Sequence, residues 1–379
     1  MNIENKNLIN KYNSERKIIF DKEKQRNYGI DLLRVFSMIK IINLHINKRS
    51  GLLSLNSNNI KFKEIWCLEI FSLCSVDCFG LISGIVAFDK YKFSNLINLW
   101  FISAFYCVSK HLYLYIKNEI NFKKLFLSFF PILMKFHWYI NAYFIMYLFL
   151  PFINSGINTI NKKIFKYLVI FYILFFSIYY IISVIFKIKN FSFLLRGYSS
   201  SWLTILYIIG SYFGKYILKS KDISSRIFKT IHFINYIGFS LLSSEIFFIK
   251  KNTLLISYPS PTILFQAISL VMLFYSIKIT NIFLIKIIKF ITPLTFSATL
   301  IHSSLFSIKP KLVLFLFESI RQLRKYIFLE IYLLSLIIFI FCILIDYFRL
   351  LLFKIMRIRE ICLSLEKIFP KIIDRIYNG

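Results

Sequence analysis

Long apolar stretches separated by short polar gaps recur along most of the 379-residue chain. A helix needs about 20 mostly apolar residues to cross the hydrocarbon core of a bilayer. Ten stretches approach that length, although several contain polar residues. They are residues 29–46, 64–88, 96–116, 136–153, 164–186, 200–218, 227–249, 260–278, 291–307 and 326–352. The pattern predicts an all-α fold, a polytopic membrane helix bundle of about ten transmembrane helices with no soluble catalytic domain.

The segments outside these stretches complete the predicted organisation. Residues 121–134 are short and apolar and contain Pro131, so we expect an interfacial or re-entrant piece, and residues 281–290 could be the same on the other side. The chain then divides into a polar segment (1–28), a membrane bundle (29–352) and a tail (353–379). Apolar residues recur in the tail at helical spacing, which predicts an amphipathic helix on the leaflet or packed against the ends of the bundle.

Composition and charge narrow the class of protein. Apolar residues make up 58% of the chain, against about 45–50% in soluble domains, which excludes an ordinary soluble enzyme. Only six cysteines are present, too few for a disulfide-stapled scaffold. The net charge of +30 lies mostly in the gaps between apolar runs, which suggests anionic lipid rather than nucleic acid; an AT-rich genome would also enrich lysine.

The distribution of basic residues also predicts the orientation. Lys and Arg are in excess on the side that holds both termini, which favours cytoplasmic termini in a plasma membrane. The first 28 residues are polar and do not resemble a signal peptide, so we expect the first span to be retained.

Ionisable side chains in the first predicted span are the main candidates for chemistry, because a charge in lipid is costly. Arg34 and His45 are eleven residues apart, so they share one helix face and are separated by about 16 Å along the axis. Asp31 lies on the same face, whereas Lys40 points to a different face and no functional role is predicted for it. The alternatives are a snorkelling arginine and a hydrogen-bonded interhelical histidine.

Three other positions are singled out by their polar character within apolar runs. Asp77, in the second span, needs a partner, and His45 and Arg34 are candidates; a structural hydrogen bond to a neighbouring helix is the alternative. His302 lies late in the ninth span. His137 begins the fourth span and is predicted to be interfacial. Close helix approach is predicted at Gly80 and Gly84. No metal-binding motif is present in the sequence.

Six stretches carry a family resemblance. They are RVFSMIKIINLH (34–45), VDCFGLISGIVAF (76–88), HWYINAYFIMYLFLPFIN (137–154), GYSSSWLTILYIIGSYFGKY (197–216), YPSPTILFQAISLVMLF (258–274) and FSATLIH (296–302). In this order they resemble the acyltransferase-3 family of integral membrane acyltransferases, in particular its branch acting on bacterial surface polysaccharides. The chain departs from the family pattern at Thr299, where the family has tyrosine, and at residues 89–92, where some members carry arginines.

The resemblance implies a function. An acyl group, usually acetyl, would pass from acetyl-CoA, the acyl donor and co-substrate, to a hydroxyl of a surface polysaccharide or its lipid-linked precursor. His45 would be the general base or a transient acyl carrier, and Arg34, with Asp31, would bind the CoA moiety. Asp77 would orient His45 or Arg34.

The remaining expectations concern the acceptor side and the partners. His302 is a second candidate residue for the acceptor side. Expected partners are membrane lipid, acyl-CoA and a glycan or lipid-linked sugar, with neither a metal nor nucleic acid. The rival class is a transporter or flippase of a glycan or lipid-linked precursor, in which the same charges line a path. An inactive relative with a structural role is a third possibility.

Overall fold

The computed structural model describes residues 26–56, 60–88, 90–186, 188, 194–218, 221–250, 255–308, 311–322 and 326–378. Within these residues the chain forms 13 α-helices and no strand. The helices are α1 (Tyr28–Arg49), α2 (Ile60–Ala87), α3 (Phe93–Ile116), α4 (Phe122–Leu127), α5 (Trp138–Thr159), α6 (Lys162–Ile185), α7 (Ser200–Tyr212), α8 (Arg226–Lys250), α9 (Pro261–Tyr275), α10 (Ile282–Ile308), α11 (Lys311–Arg321), α12 (Ile327–Ile355) and α13 (Ile358–Asn378).

The prediction of an all-α, polytopic membrane bundle is confirmed. Each of the ten predicted stretches overlaps one helix of at least 13 residues, and α7, the shortest of these, is prolonged by a π-helical turn, Phe213–Ile217. Among the described residues, six helices are long and apolar enough to cross a membrane: α2, α5, α6, α8, α10 and α12. The shorter helix α9 is also apolar. Helix α1 is not among the six and carries Asp31, Arg34 and Lys40.

The two short apolar pieces have different outcomes. Residues 281–290 are not a separate interfacial piece, because α10 continues unbroken through them and past Pro293. The side chain of Asn281 accepts the backbone N–H groups of Phe283 and Leu284 and so begins the helix there. Residues 122–127 form the short helix α4, which is followed by turns. Its position at the membrane surface stays a prediction.

Helix α1 lies at the centre of the bundle and contacts α2, α9, α10 and α12. Its start is fixed by Asn27, whose Oδ1 accepts from the N–H of Ile30 at 3.1 Å and whose Nδ2 donates to the carbonyl of Tyr275 at 2.8 Å. At Gly29 a Cβ atom would overlap the carbonyl of Phe274, so glycine allows the end of α9 to approach. Asp31 and Lys40 of α1 are therefore buried inside the protein and Arg34 is partly buried, whereas Lys48 and Arg49 in the last turn are exposed.

Helices α2 and α7 are in close contact at small residues. A Cβ atom added at Gly80 would lie 2.8 Å from the Cβ of Leu206, and one at Gly84 would lie 2.6 Å from the backbone nitrogen of Ser211. Gly210 faces the backbone of α2 in the same way. The predicted close approach at Gly80 and Gly84 is confirmed, and it leaves no room for a methyl group.

The tail helix α13 packs against α3 and α12. This agrees with the second of its two predicted positions, against the ends of the bundle. Ile358 and Cys362 are buried in this contact. Burial acts to raise the pKa of Glu366, but hydrogen bonds from Ser94 at the start of α3 outweigh it and hold that pKa below its ordinary value. The outward face of α13 is also apolar and is formed by Ile361, Leu365 and Ile368. Contact of that face with the leaflet stays a prediction.

We expect Gly84→Ala to destabilise the bundle by about 1–3 kcal/mol, because the methyl group would overlap the α7 backbone, which cannot rotate away. The measurement is the thermal midpoint of the purified protein in detergent. Gly238→Ala is the matched control, since a Cβ atom at position 238 meets nothing within 4 Å and alanine favours a helix. Equal midpoints for the two variants would contradict the close contact between α2 and α7.

Candidate active site

Two histidines from distant parts of the chain form a hydrogen-bonded pair. His45 in α1 and His302 in α10 are joined by a contact of 2.7 Å between the Nδ1 of His45 and the Nε2 of His302. The other nitrogen of His302, Nδ1, lies 2.5 Å from the carbonyl oxygen of Ala298 in the preceding turn of α10. His302 is fully buried. The pair therefore connects the C-terminal part of α1 to the backbone of α10.

The hydrogen bonds fix the proton positions on both rings. A carbonyl oxygen only accepts, so the Nδ1 of His302 carries a hydrogen and donates it to Ala298. In a neutral imidazole the other nitrogen is then an acceptor, so the Nε2 of His302 accepts from the Nδ1–H of His45. The Nε2 of His45 is left with a lone pair. This is the arrangement that a general base requires.

A small cavity lies beside His45, between α1, α2, α5 and α10. Its volume is about 30 Å³, enough for one or two water molecules. It is lined by Met38, Ile41, His45, Val76, Phe79, His137, Trp138, Tyr139, Phe296 and Thr299. An apolar wall with a few imidazole and hydroxyl groups is typical of a reaction site that excludes water.

His137 is a cavity residue that sequence reasoning missed, having placed it at the interface. It immediately precedes α5, and its Nε2 lies 3.3 Å from the hydroxyl of Ser303. Its Nδ1 is buried and has no hydrogen-bond partner among the described residues. The signal in the sequence was its position directly before Trp138, at the start of one of the six motif stretches.

A basic cluster lies at the opposite end of α1, which we call the N-side because α1 begins there. Asp31 accepts from Arg26 at 2.6 Å and from Arg34 at 2.5 Å, so one carboxylate is shared by two guanidinium groups. The cluster keeps a net positive charge. Arg34 and His45 are about three turns apart on α1, about 16 Å along its axis, and neither hydrogen-bonds the other.

A row of tyrosines on α5 spans the distance between these two ends. Tyr139 lines the His45 cavity and packs on Tyr143, with ring centroids 6.1 Å apart. Tyr143 packs at the same distance on Tyr147 and is within electrostatic range of Arg34. The Tyr147 hydroxyl donates to the backbone carbonyl of Lys92 at 3.2 Å. Their spacing of four residues places the three rings on one face of α5.

A second, larger cavity of about 350 Å³ opens at the N-side. Its lining is polar and includes Arg26, Asn27, Ser224 and Lys278. Tyr28 also lines it, and the cations of Arg26 and Lys289 lie over the ring of Tyr28 at 5.9 Å and 5.7 Å. Arg26 connects this cavity to Asp31 and through it to Arg34. The arrangement favours an anionic ligand.

Asp77 has a different partner from the two that the sequence suggested. Its Oδ1 accepts from the indole N–H of Trp202 in α7 at 3.0 Å, and it bonds neither His45 nor Arg34. Its Oδ2 is buried and has no partner within the described part of the chain. The pairing failed because α2 turns Asp77 toward α7, whereas Arg34 finds its partner on α1 itself.

Lys40 is the other buried charge on α1. Its ammonium group donates to the carbonyl of Phe71 at 2.8 Å and to the hydroxyl of Tyr236 at 2.5 Å. It also lies over the ring of Phe36, 4.7 Å from the centroid. The side chain therefore faces α2 and α8 rather than reaching the membrane surface.

These features describe a helical membrane protein in which a partly buried histidine, hydrogen-bonded through its Nδ1, lines an internal cavity. Comparison with family models gives the family. The model described as an acyltransferase domain, that of the acyltransferase-3 family, matches residues 27–347, so the chain belongs to this family of membrane acyltransferases. No match was found among curated proteins or among solved structures. The described residues contain no group of three side chains that could hold a metal ion.

We predict that neutral His45 carries its proton on Nδ1, because His302 accepts from that nitrogen. The measurement is the ¹⁵N chemical shift of the imidazole nitrogens, in protein with labelled histidine reconstituted in a bilayer at pH 8. In His302→Ala the acceptor is gone, so the His45 signal should shift toward a mixture of tautomers. A wild-type His45 with its proton on Nε2 would contradict the hydrogen-bond chain.

Proposed function

We propose that this protein is an O-acyltransferase that moves an acyl group, an acetyl group in the simplest case, from acyl-CoA to a hydroxyl of a surface glycan or its lipid-linked precursor. The observation that carries the proposal is the lone pair on the Nε2 of His45, which lies beside the internal cavity. Membership of the family supplies acyl transfer as the reaction class.

The proposed chemistry needs one proton acceptor and one orienting group. The Nε2 of His45 takes the proton of the acceptor hydroxyl while the oxygen of that hydroxyl attacks the thioester carbonyl. The carbon–sulfur bond then breaks, and the departing thiolate receives the proton from His45. His302 acts as a positioning residue that fixes the His45 ring through its Nδ1–H. General-base catalysis of this kind contributes about 10²–10⁴-fold to a rate.

The N-side provides the features expected of a donor site. The phosphates of CoA would meet the guanidinium groups of Arg26 and Arg34, and the 350 Å³ cavity offers space beside them. The pantetheine arm would follow the tyrosine row toward His45. The roughly 16 Å between Arg34 and His45 suits such an arm. In this arrangement Asp31 orients both arginines rather than binding the donor itself.

The structure gives less support to a transporter or flippase. In a permeation path the charged side chains would face a continuous aqueous route. Here Arg34 is paired with Asp31, and Lys40 is bonded within the bundle. The cavity at His45 measures only about 30 Å³. A transporter would also leave the thioester intact, which makes thiol release the discriminating observation.

We predict that His45→Ala reduces acceptor-dependent release of free thiol from acetyl-CoA by at least about 100-fold. The assay uses membrane vesicles that contain the protein, with cell-surface glycan as the acceptor. His232→Gln is the matched control, a histidine in α8 that does not line the cavity, and it should retain activity. Full activity in a correctly inserted His45→Ala variant would refute the role of His45.

Arg34→Lys should raise the KM for acetyl-CoA about tenfold with a smaller effect on kcat, because lysine keeps the charge but loses the two-pronged contact with a phosphate. Arg349→Lys is the control, since Arg349 forms a similar pair with Asp346 three residues earlier and lines neither cavity described above. The measurement is initial rate against acetyl-CoA concentration. A raised KM for the acceptor alone would place Arg34 outside the donor site.

A further inference from the structure

Three aromatic rings form a cluster at the end of the bundle opposite the N-side. Trp138 at the start of α5 packs against Tyr198 with ring centroids 4.5 Å apart, and Tyr198 packs against Tyr258 at 5.2 Å. Trp138 and Tyr258 are stacked at 6.2 Å. The three residues come from three different parts of the chain, so the cluster is a feature of the fold rather than of one helix.

The backbone that carries Tyr198 is held in an unusual conformation. Arg196 and Gly197 have φ values of 55° and 90°, which few residues other than glycine adopt readily. A Cβ atom at Gly197 would overlap the side chain of Tyr258. The carbonyl of Arg196 accepts from the hydroxyl of Ser257 at 3.3 Å, so the segments before α7 and α9 are tied together. The backbone therefore fixes Tyr198 against Tyr258.

The cluster connects the outside of the protein with the cavity. Tyr198 is 44% exposed and Tyr258 is 7% exposed. Trp138 lines the His45 cavity. Aromatic residues in an interfacial belt would face lipid separately, whereas these rings contact one another. Tyr198 meets the other two rings at interplanar angles of 60° and 58°, and the cluster leads inward from an exposed surface to the His45 cavity.

Polar atoms without partners lie close to the cluster. The buried Nδ1 of His137, the residue before Trp138, has no hydrogen-bond partner among the described residues, and the same is true of the Oδ2 of Asp77. The hydroxyl of Tyr258 is within electrostatic range of Asp77. An unpaired buried polar atom destabilises the fold, because it loses its hydrogen bonds to water without replacement, and a ligand rich in hydroxyl groups would supply the missing partners.

We propose that this cluster is the acceptor subsite and that the acceptor group is a pyranose ring. A pyranose presents C–H groups on one face and hydroxyls at its rim. The C–H face fits the electron-rich face of an aromatic ring, and the rim hydroxyls supply partners for the imidazole and the carboxylate. A ring bound on Tyr198 and Trp138 would direct one hydroxyl toward the Nε2 of His45. This inference rests on the proposed function, because it assigns the acceptor of the same reaction.

The test separates binding from catalysis. Protein in lipid nanodiscs is mixed with methyl hexopyranosides and methyl N-acetylhexosaminides, and binding is read by saturation-transfer NMR. In parallel, the KM for cell-surface glycan is measured by thiol release from acetyl-CoA. The variants are Tyr198→Leu, which removes the ring, and Tyr198→Trp, which restores one. Tyr115→Leu is the matched control, a tyrosine of similar exposure that packs on Phe122 instead.

We expect wild type, Tyr198→Trp and Tyr115→Leu to bind a pyranoside, and Tyr198→Leu to lose that signal. Its KM for glycan should rise at least about tenfold while the KM for acetyl-CoA stays the same. Thiol release with an unchanged glycan KM in Tyr198→Leu would overturn the subsite and leave the proposed function intact. Pyranoside binding that depends on Tyr198 without any thiol release would overturn the proposed function and leave the subsite. Absence of pyranoside binding by wild type would overturn the subsite.

Discussion

The constraint on which this structure depends is that a polar group in hydrocarbon must find its partner inside the protein. Between Tyr28 and Ile46, helix α1 carries three charged side chains and a histidine, and each of them has such a partner; Lys48 and Arg49 in its last turn are exposed. Asp31 holds Arg26 and Arg34, Lys40 donates to Phe71 and Tyr236, and His45 donates to His302. These bonds require α1 to be surrounded by other helices. The central position of α1 and the orientation of the His45 ring therefore have the same physical origin.

Two kinds of contact hold α2 and α7 together: close packing at glycines and a hydrogen bond between polar side chains. The close approach of α2 and α7 at Gly84 and Gly210 leaves no freedom in the spacing of the two helices. Asp77 and Trp202 then meet across the same pair of helices. Beside this contact, Val76 and Phe79 of α2 and Tyr139 of α5 line the His45 cavity. A close contact on one face of α2 thus accompanies a narrow internal space beside the neighbouring face, where Val76 and Phe79 line the cavity.

The sequence predicted the helices and singled out the ionisable residues of α1, α2 and α10, but it did not predict how these residues pair. Apolar length located ten helices, and helical arithmetic placed Arg34 and His45 at the two ends of one face. The sequence could not pair His45 with His302, because the two lie 257 residues apart and nothing local links them. The position of His137 in the cavity wall was missed, because the aromatic residues Trp138 and Tyr139 that follow it suggested a membrane interface. Residues 281–290 were separated from α10 because lysines and a proline interrupt an otherwise continuous helix.

The long separations in sequence have a consequence for how the chain is made. Lys40 bonds Tyr236, which follows it by 196 residues, and His45 bonds His302. During synthesis α1 emerges first, and most of its partners are made much later. Until α8 and α10 have entered the bilayer, the ammonium group of Lys40 lacks its hydroxyl partner and the imidazole of His45 lacks its acceptor. In a chain that ends before α10, the His45 side chain of the first helix therefore has no His302 to bond, and this unpaired polar group distinguishes the incomplete protein from the folded one.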